Sequence, residues 1–250
     1  GTPPRRALLL LLVVAGLAGC AVISPFSSPS ADSIRAQLAS GRQALAQGQL
    51  ADATRLFSEA RKNAHRTHRP ALEIDARIAS AETERAMGNL AGARLELRAA
   101  LELSEAARSG SHRLAGIEVG LGGIELAEGR AQEATALLQS GAERAREERD
   151  LALEATARMD LGTLFALQDQ PEEALRNYQL SAKIAEAAGE PLGAAQALAN
   201  AARVAGDEPG KARALLLRGT ALARQLPATP DQANLLLNLA ETEMRLGALP

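Results

Sequence analysis

Five residue positions recur along this chain about every forty residues, and that recurrence limits its possible folds more than any other feature. Each copy opens with a residue that is usually small. A turn residue follows seven later, an alanine five after that, an aromatic or leucine four further on, and a small residue three beyond. The series reads Gly41, Gly48, Ala53, Phe57, Ala60, then Ala81, Gly88, Ala93, Leu97, Ala100. It continues as Gly122, Gly129, Ala134, Leu138, Gly141, as Gly162, Asp169, Ala174, Tyr178, Ser181, and as Asn200, Asp207, Ala212, Leu216, Gly219. The central alanines stand 40, 41, 40 and 38 residues apart, and a sixth copy opens at Ala240 and Gly247. A unit of this length cannot bury an apolar face alone, so repeated units stack on one another in series.

Within a unit the apolar residues have helical spacing on both sides of the turn. Leu161, Leu164, Phe165 and Leu167 share one face, and Ala174, Leu175, Tyr178 and Ala182 share another. Pattern and punctuation predict hairpins of Ala31–Gln47 with Leu50–Arg66, Pro70–Met87 with Leu90–Arg108, and Ser111–Glu128 with Ala131–Arg149. Two more pair Leu151–Leu167 with Pro171–Ala188 and Pro191–Ala205 with Pro209–Leu226, leaving Pro230–Leu246 over. Five of these helices open on proline, which the first turn tolerates because its N–H has no helical partner there. Gly48, Gly88, Gly129 and Gly189 fall at helix ends, where a left-handed residue is wanted. Thr229 is placed to cap the leftover helix. With Leu235, Leu236, Leu237, Leu239, Met244 and Leu246, that helix is more apolar than a terminal shield requires. Either the array continues or this edge meets another subunit or a partner.

The skeleton resembles the tetratricopeptide repeat, in which two antiparallel helices meet through small residues at their closest contact. The resemblance runs from about Ala31 to the C-terminus. The period exceeds the family's usual ~34 residues, the tryptophan of the first helix is absent, and the closing proline is displaced. The resemblance implies an all-α, right-handed α-solenoid over residues 34–250, with five hairpins and a terminal helix. It also implies a concave surface, lined by the first helices, that takes extended or helical segments of partner proteins. Carried over by position, one row of that groove is Arg42, Glu82, Gly123, Thr163, Ala201 and Glu241, and a second is Arg35, Asp75, Thr156 and Asn234. The lysine and asparagine clamp that some family members close on a C-terminal carboxylate has no counterpart here.

Composition agrees with a stack and excludes several activities. Hydrophobic residues make up 46% of the chain but aromatics only 2%, so alanine and leucine must do the packing. A net charge of −2 lacks the basic surplus that phosphate contacts demand, and one tyrosine with no tryptophan leaves no platform for stacking bases. Nucleic acid is therefore not an expected partner. Gly120, Gly122 and Gly123 fall inside a helix with no strand before them, so they read as close packing rather than a nucleotide fingerprint. His65, His68 and His112 come without an HExxH or a cysteine pair and make no metal motif. The basic run Arg61 to Arg69 reads as a solvated turn or as a contact to anionic headgroups. Nothing marks a nucleophile, a base and an orienting group together, so neither catalysis nor a cofactor or metal is expected.

The N-terminal region carries a different signal. Arg5 and Arg6 precede the apolar run Ala7 to Ala15, and Gly16-Leu17-Ala18-Gly19-Cys20 follows. The run is too short for a membrane span, which takes ~20 apolar residues, and has the form of a secretory signal. The ending LAGC resembles a bacterial lipobox, which implies cleavage after residue 19 and acylation of Cys20. Several acyl chains hold a protein stably on a bilayer. Ala21 is not the aspartate associated with inner-membrane retention in enterobacteria, which favours the periplasmic face of the outer membrane. Residues 20–33, with Pro25 and Pro29 among serines, read as a flexible tether. Together the two resemblances imply a lipid-anchored periplasmic scaffold for envelope proteins or their peptide segments. An adaptor presenting a peptidoglycan hydrolase or protease to its substrate is the second reading, and a cell-wall enzyme the third.

Overall fold

The computed structural model describes residues 28–107, 111–206 and 208–247; Cys20, the signal segment, most of the tether and Asp207 lie outside them. Among the described residues there are eleven helices and no strand: α1 (Ala31–Ala46), α2 (Leu50–Arg66), α3 (Pro70–Ala86), α4 (Leu90–Ala107), α5 (Ser111–Ala127), α6 (Ala131–Glu148), α7 (Leu151–Leu167), α8 (Pro171–Ala188), α9 (Pro191–Val204), α10 (Pro209–Ala223) and α11 (Pro230–Gly247). Ser30 caps α1 by accepting the Ser33 N–H, and Thr229 caps α11 by accepting that of Gln232. The hairpin turns at Gly48, Gly88 and Gly129 take φ of 71°, 78° and 76°, and Asp169 adopts 58° at the same point of the fourth hairpin. Asp is among the few residues besides glycine that visit this region readily.

The largest departure from the expected boundaries is at the end of α10, at Ala223 rather than Leu226. The Gln225 and Leu226 N–H groups bond back only three residues, to Leu222 and Ala223, which tightens the last turn. Gln232 of α11 then donates from Nε2 to the Ala223 and Leu226 carbonyls at 3.0 and 2.9 Å. A side chain reaching back from the next helix stops α10, and no local pattern announces it.

Within each of the first four hairpins the two helices approach where the small residue of the first faces the large residue sixteen positions later, whereas the fifth has Asn200 at that place. A Cβ built on Gly162 would lie 2.6 Å from Cδ1 of Tyr178, and one on Gly122 would lie 2.7 Å from Cγ of Leu138. Gly41 stands in the same relation to the Phe57 ring. Phe57, Leu138 and Tyr178 are each fully buried as a result. Apolar clusters follow one another along the chain, Ile34 to Ala79, Ile74 to Ile124, Val119 to Leu164 and Ala174 to Leu239, as a stack requires.

The backbones of successive first helices come close, α1 to α3, α3 to α5, α5 to α7, α7 to α9 and α9 to α11, whereas those of successive second helices stay farther apart among the described residues and are bridged by long side chains. The first helices therefore form the shorter, inner arc and line a concave surface. Ion pairs reinforce the outer layer. Glu96 of α4 accepts from Arg61 of α2 and Arg77 of α3, both at 2.9 Å, and Arg77 also reaches the buried Glu73.

The close approach makes a contrast between two glycines. Gly162→Ala gains helix propensity of about 1 kcal/mol but overpacks the Tyr178 ring by ~1–3 kcal/mol, so we expect net destabilisation. In Gly116→Ala of α5 the added Cβ would meet Ile78 Cδ1 at 3.6 Å, an ordinary contact. That variant should gain about 0.5–1 kcal/mol from propensity. Urea unfolding followed by circular dichroism checks both signs.

Candidate partner-binding groove

The inner arc of α1, α3, α5 and α7 encloses a hollow of about 400 Å³. Ile78, Val119, Ile124 and Leu153 form its apolar wall. Arg42, Asp75, Glu82, Arg85, Arg113, Asp150 and Asp160 bring charge of both signs into it. Five positions carried over from the repeat register, Arg42, Asp75, Glu82, Gly123 and Thr156, meet here.

The remaining positions lie elsewhere. Glu241 lines a second hollow of about 520 Å³ between α7, α9 and α11, with Asn200, Arg203 and Arg245. Arg35 is paired with Asp32 at 2.8 Å on the exposed side of α1. The Thr163 hydroxyl donates to the Met159 carbonyl and accepts from the Tyr178 hydroxyl, so it serves the packing of α7 on α8. Ala201 is fully buried. Asn234 is exposed and lines neither hollow.

The groove charges divide into one closed pair, one helix cap and four open groups. Arg113 donates from Nε and Nη2 to the two Asp75 oxygens at 2.8 and 3.1 Å, and from Nε to the Ala71 carbonyl, which fastens α5 to α3. Asp150 is occupied as the N-cap of α7, accepting the Leu153 N–H at 3.0 Å. Arg42, Glu82, Arg85 and Asp160 form no ion pair among the described residues.

Partial desolvation without an ion-pair partner has a consequence for the two acids. Loss of hydration pushes the Asp160 carboxyl up to about 6, against the pull of Arg85. Asp160 sits over Gly123, where a Cβ would stand 3.3 Å from Oδ2, so the glycine makes room for the carboxylate. Glu82 is solvent-accessible yet stands within the hollow, where neighbouring protein displaces water. Its carboxyl is raised chiefly by that desolvation, with Arg42 and Arg85 opposing. Perturbed acids in a concave site mark it as a candidate functional site. Arg85 and Asp160 are absent from the repeat-derived rows. The available signal is Asp160 itself, a lone acid between Met159 and Leu161 in an apolar stretch.

The histidines and the basic run have local roles. His65 Nδ1 lies 3.0 Å from Glu73, and His68 takes a left-handed turn between hairpins with φ of 51°. Arg61 is engaged by Glu96 and Arg66 by Asn63. Among the described residues no three metal-ligating side chains converge, and no helix is long and apolar enough to cross a membrane.

Residues 113–187 match the tetratricopeptide repeat family. Among solved structures, BtubC (BKLC) from P. vanneervenii superposes with a TM-score of 0.61 at 18% identity, covering 88% of this chain and 85% of that one. The tetratricopeptide-repeat sensor protein of Pyrococcus horikoshii, a signal transduction ATPase with numerous domains, gives 0.59 at 16% identity over 85% of this chain and 31% of that one. The array is a tetratricopeptide-type solenoid. The nearly identical TPR-like repeats of a putative kinesin light chain from Podosopora anserina give 0.55 at 19% identity, over 76% of this chain and 93% of that one. No curated protein sequence matches this chain. At these identities the likeness to the solved structures is one of fold.

Asp160 generates a pH prediction. Its folded carboxyl is raised above the ordinary 3.8, so its contribution to stability is present below about 4 and lost as pH rises through about 6. Asp160→Asn should therefore unfold later than the parent at pH 7, by about 1–3 kcal/mol, with the difference closing as pH falls from 6 to 4. Thermal melts of both proteins across that range measure it; a gap that widens on acidification would refute the assignment.

Proposed function

We propose that this protein is a scaffold that holds a peptide segment of an envelope protein in the concave groove of α1, α3, α5 and α7. One observation carries the reading. Arg42, Glu82, Arg85 and Asp160 bring two cations and two anions, none ion-paired, to the charged side of a hollow with an apolar wall. Leaving such charges partly desolvated costs stability, and a bound segment with complementary charges removes that cost. The apolar wall takes side chains between the charged ones, and the volume matches a short stretch of polypeptide rather than a whole domain. Lipid on Cys20 and an outer-membrane location rest on the LAGC sequence and its flanks, with residues 20–33 as the tether. In this reading the array works close to the inner surface of that membrane and assists assembly of an envelope complex.

The test is crosslinking from native membranes with the full lipidated chain, followed by mass spectrometry. We expect one set of envelope proteins with the parent, and loss of that set when Arg42→Glu and Glu82→Arg are introduced together. A Cys20→Ser chain should leave the membrane fraction. Capture of the same proteins by the doubly reversed chain would contradict the groove assignment, and a Cys20→Ser chain that stays membrane-bound would contradict the anchor.

A further inference from the structure

The edge of the array at which α1 begins differs in charge from the rest. α2 runs antiparallel to α1, and Asn63 near its end donates to Gln37 near the start of α1 at 3.0 Å. The start of α1, the end of α2 and the turn into α3 therefore share one edge. Between Glu59 and Glu73 the chain carries Arg61, Lys62, Arg66 and Arg69, with His65 and His68, and no acid. The aligned stretches 100–112, 141–153 and 181–193, which join later hairpins, each hold more acids than lysines and arginines. Of these junctions the one next to the N-terminal segment alone is basic.

Neighbouring carboxylates do not neutralise this surplus. Glu73 is buried and held by Arg77 and His65, and Glu96 is shared by Arg61 and Arg77. Arg66 bonds to the neutral Asn63, and Lys62 and Arg69 pair with no carboxylate among the described residues. All three cations are exposed. At the start of α1, Arg35 and Asp32 cancel each other. A further hairpin stacked on the array would leave this edge open, because stacking buries helix faces rather than helix ends.

The surplus also lies close to the anchor. From Cys20 to Ser30 the chain takes ten residue steps. A lipid on Cys20 thus holds the start of α1 within ~36 Å of the headgroups at full extension, and nearer on average. Lysines and arginines that come within a Debye length of an anionic leaflet are drawn to it. We propose that the basic edge formed by Lys62, Arg66 and Arg69 rests on anionic phospholipid headgroups, so that lipid and charge together decide which edge of the array faces the membrane. The inference rests on the acylation of Cys20 proposed above. The edge is separate from the concave groove, which none of the three residues lines.

The chain supplies its own reporters, since its lysines are Lys62, Lys183 and Lys211. Lys62 lies at the basic edge, and Lys211, in the first turn of α10, lies at the opposite one. The lipidated chain is placed on vesicles of phosphatidylcholine, alone or mixed equally with phosphatidylglycerol, and acetylation of each lysine by an amine-reactive ester is timed by mass spectrometry. Phosphatidylglycerol should slow Lys62 by about fivefold or more, as several cations on an anionic surface allow, and leave Lys211 unchanged. High salt should remove the protection. So should Arg66→Glu combined with Arg69→Glu, with circular dichroism unchanged and the chain still floating with both vesicles. A chain that floats with both but is acetylated equally at Lys62 on each overturns the edge and leaves the anchor standing. A chain that floats with neither refutes the anchor, and the proposal with it. Protection of Lys62 by polyglutamate in solution, with none from phosphatidylglycerol vesicles, gives the edge to an acidic polypeptide and also overturns the proposal.

Discussion

The structure depends on a size match repeated through the first four hairpins: a residue with little or no side chain on the first helix, and a large one sixteen positions later on the second. Where the large partner is aromatic, as at Phe57 and Tyr178, the facing residue is glycine, since even a methyl group would enter the ring. The match sets the depth to which the helices of a hairpin interlock. Hydrophobic burial supplies the driving force, but it is non-directional. Shape at these contacts is what turns an alanine- and leucine-rich chain with few aromatics into one stack rather than a loose helical collapse.

The concave groove follows from that interlocking. Because the backbones of successive first helices lie closer together than those of successive second helices, side chains on the inner arc converge from hairpins far apart in sequence. Arg42, Glu82 and Asp160 come from three hairpins and meet in one hollow. Two kinds of charged cluster result. Between the two layers, Glu73 and Arg77 of α3 pair with each other and Arg77 pairs with Glu96 of α4, which joins the helices. On the inner arc, Glu82 and Asp160 remain without ion-pair partners and are raised by desolvation, an arrangement suited to accepting a partner's charges.

The hairpins were legible in the sequence because proline, glycine and the spaced alanines act locally: each marks a helix end or a contact within one unit. The repeat register also locates Arg42, Asp75, Glu82 and Thr156 on the inner arc, since position within a helix determines which way a side chain faces. It does not identify Arg85 and Asp160, whose place in the hollow depends on how neighbouring hairpins rotate against one another. At Thr163, which the register places in the same row, the hydroxyl donates to the Met159 carbonyl and accepts from Tyr178. The early stop of α10 escapes the register too, because Gln232 arrives from the next helix. The apolar excess of α11 was visible in the sequence, and in the structure it leaves Leu237 and Met244 exposed.

The most direct test of the size match is a double-mutant cycle at Gly162 and Tyr178. Combining Gly162→Ala with Tyr178→Leu reproduces the pairing of Ala81 with Leu97 in the second hairpin. If steric fit governs the contact, the double variant should be more stable than the two single changes sum to, with a coupling of about 1 kcal/mol or more in urea unfolding. Strict additivity would mean that Gly162 and Tyr178 do not constrain each other, and that the stack is set by something other than the fit between its small and large residues.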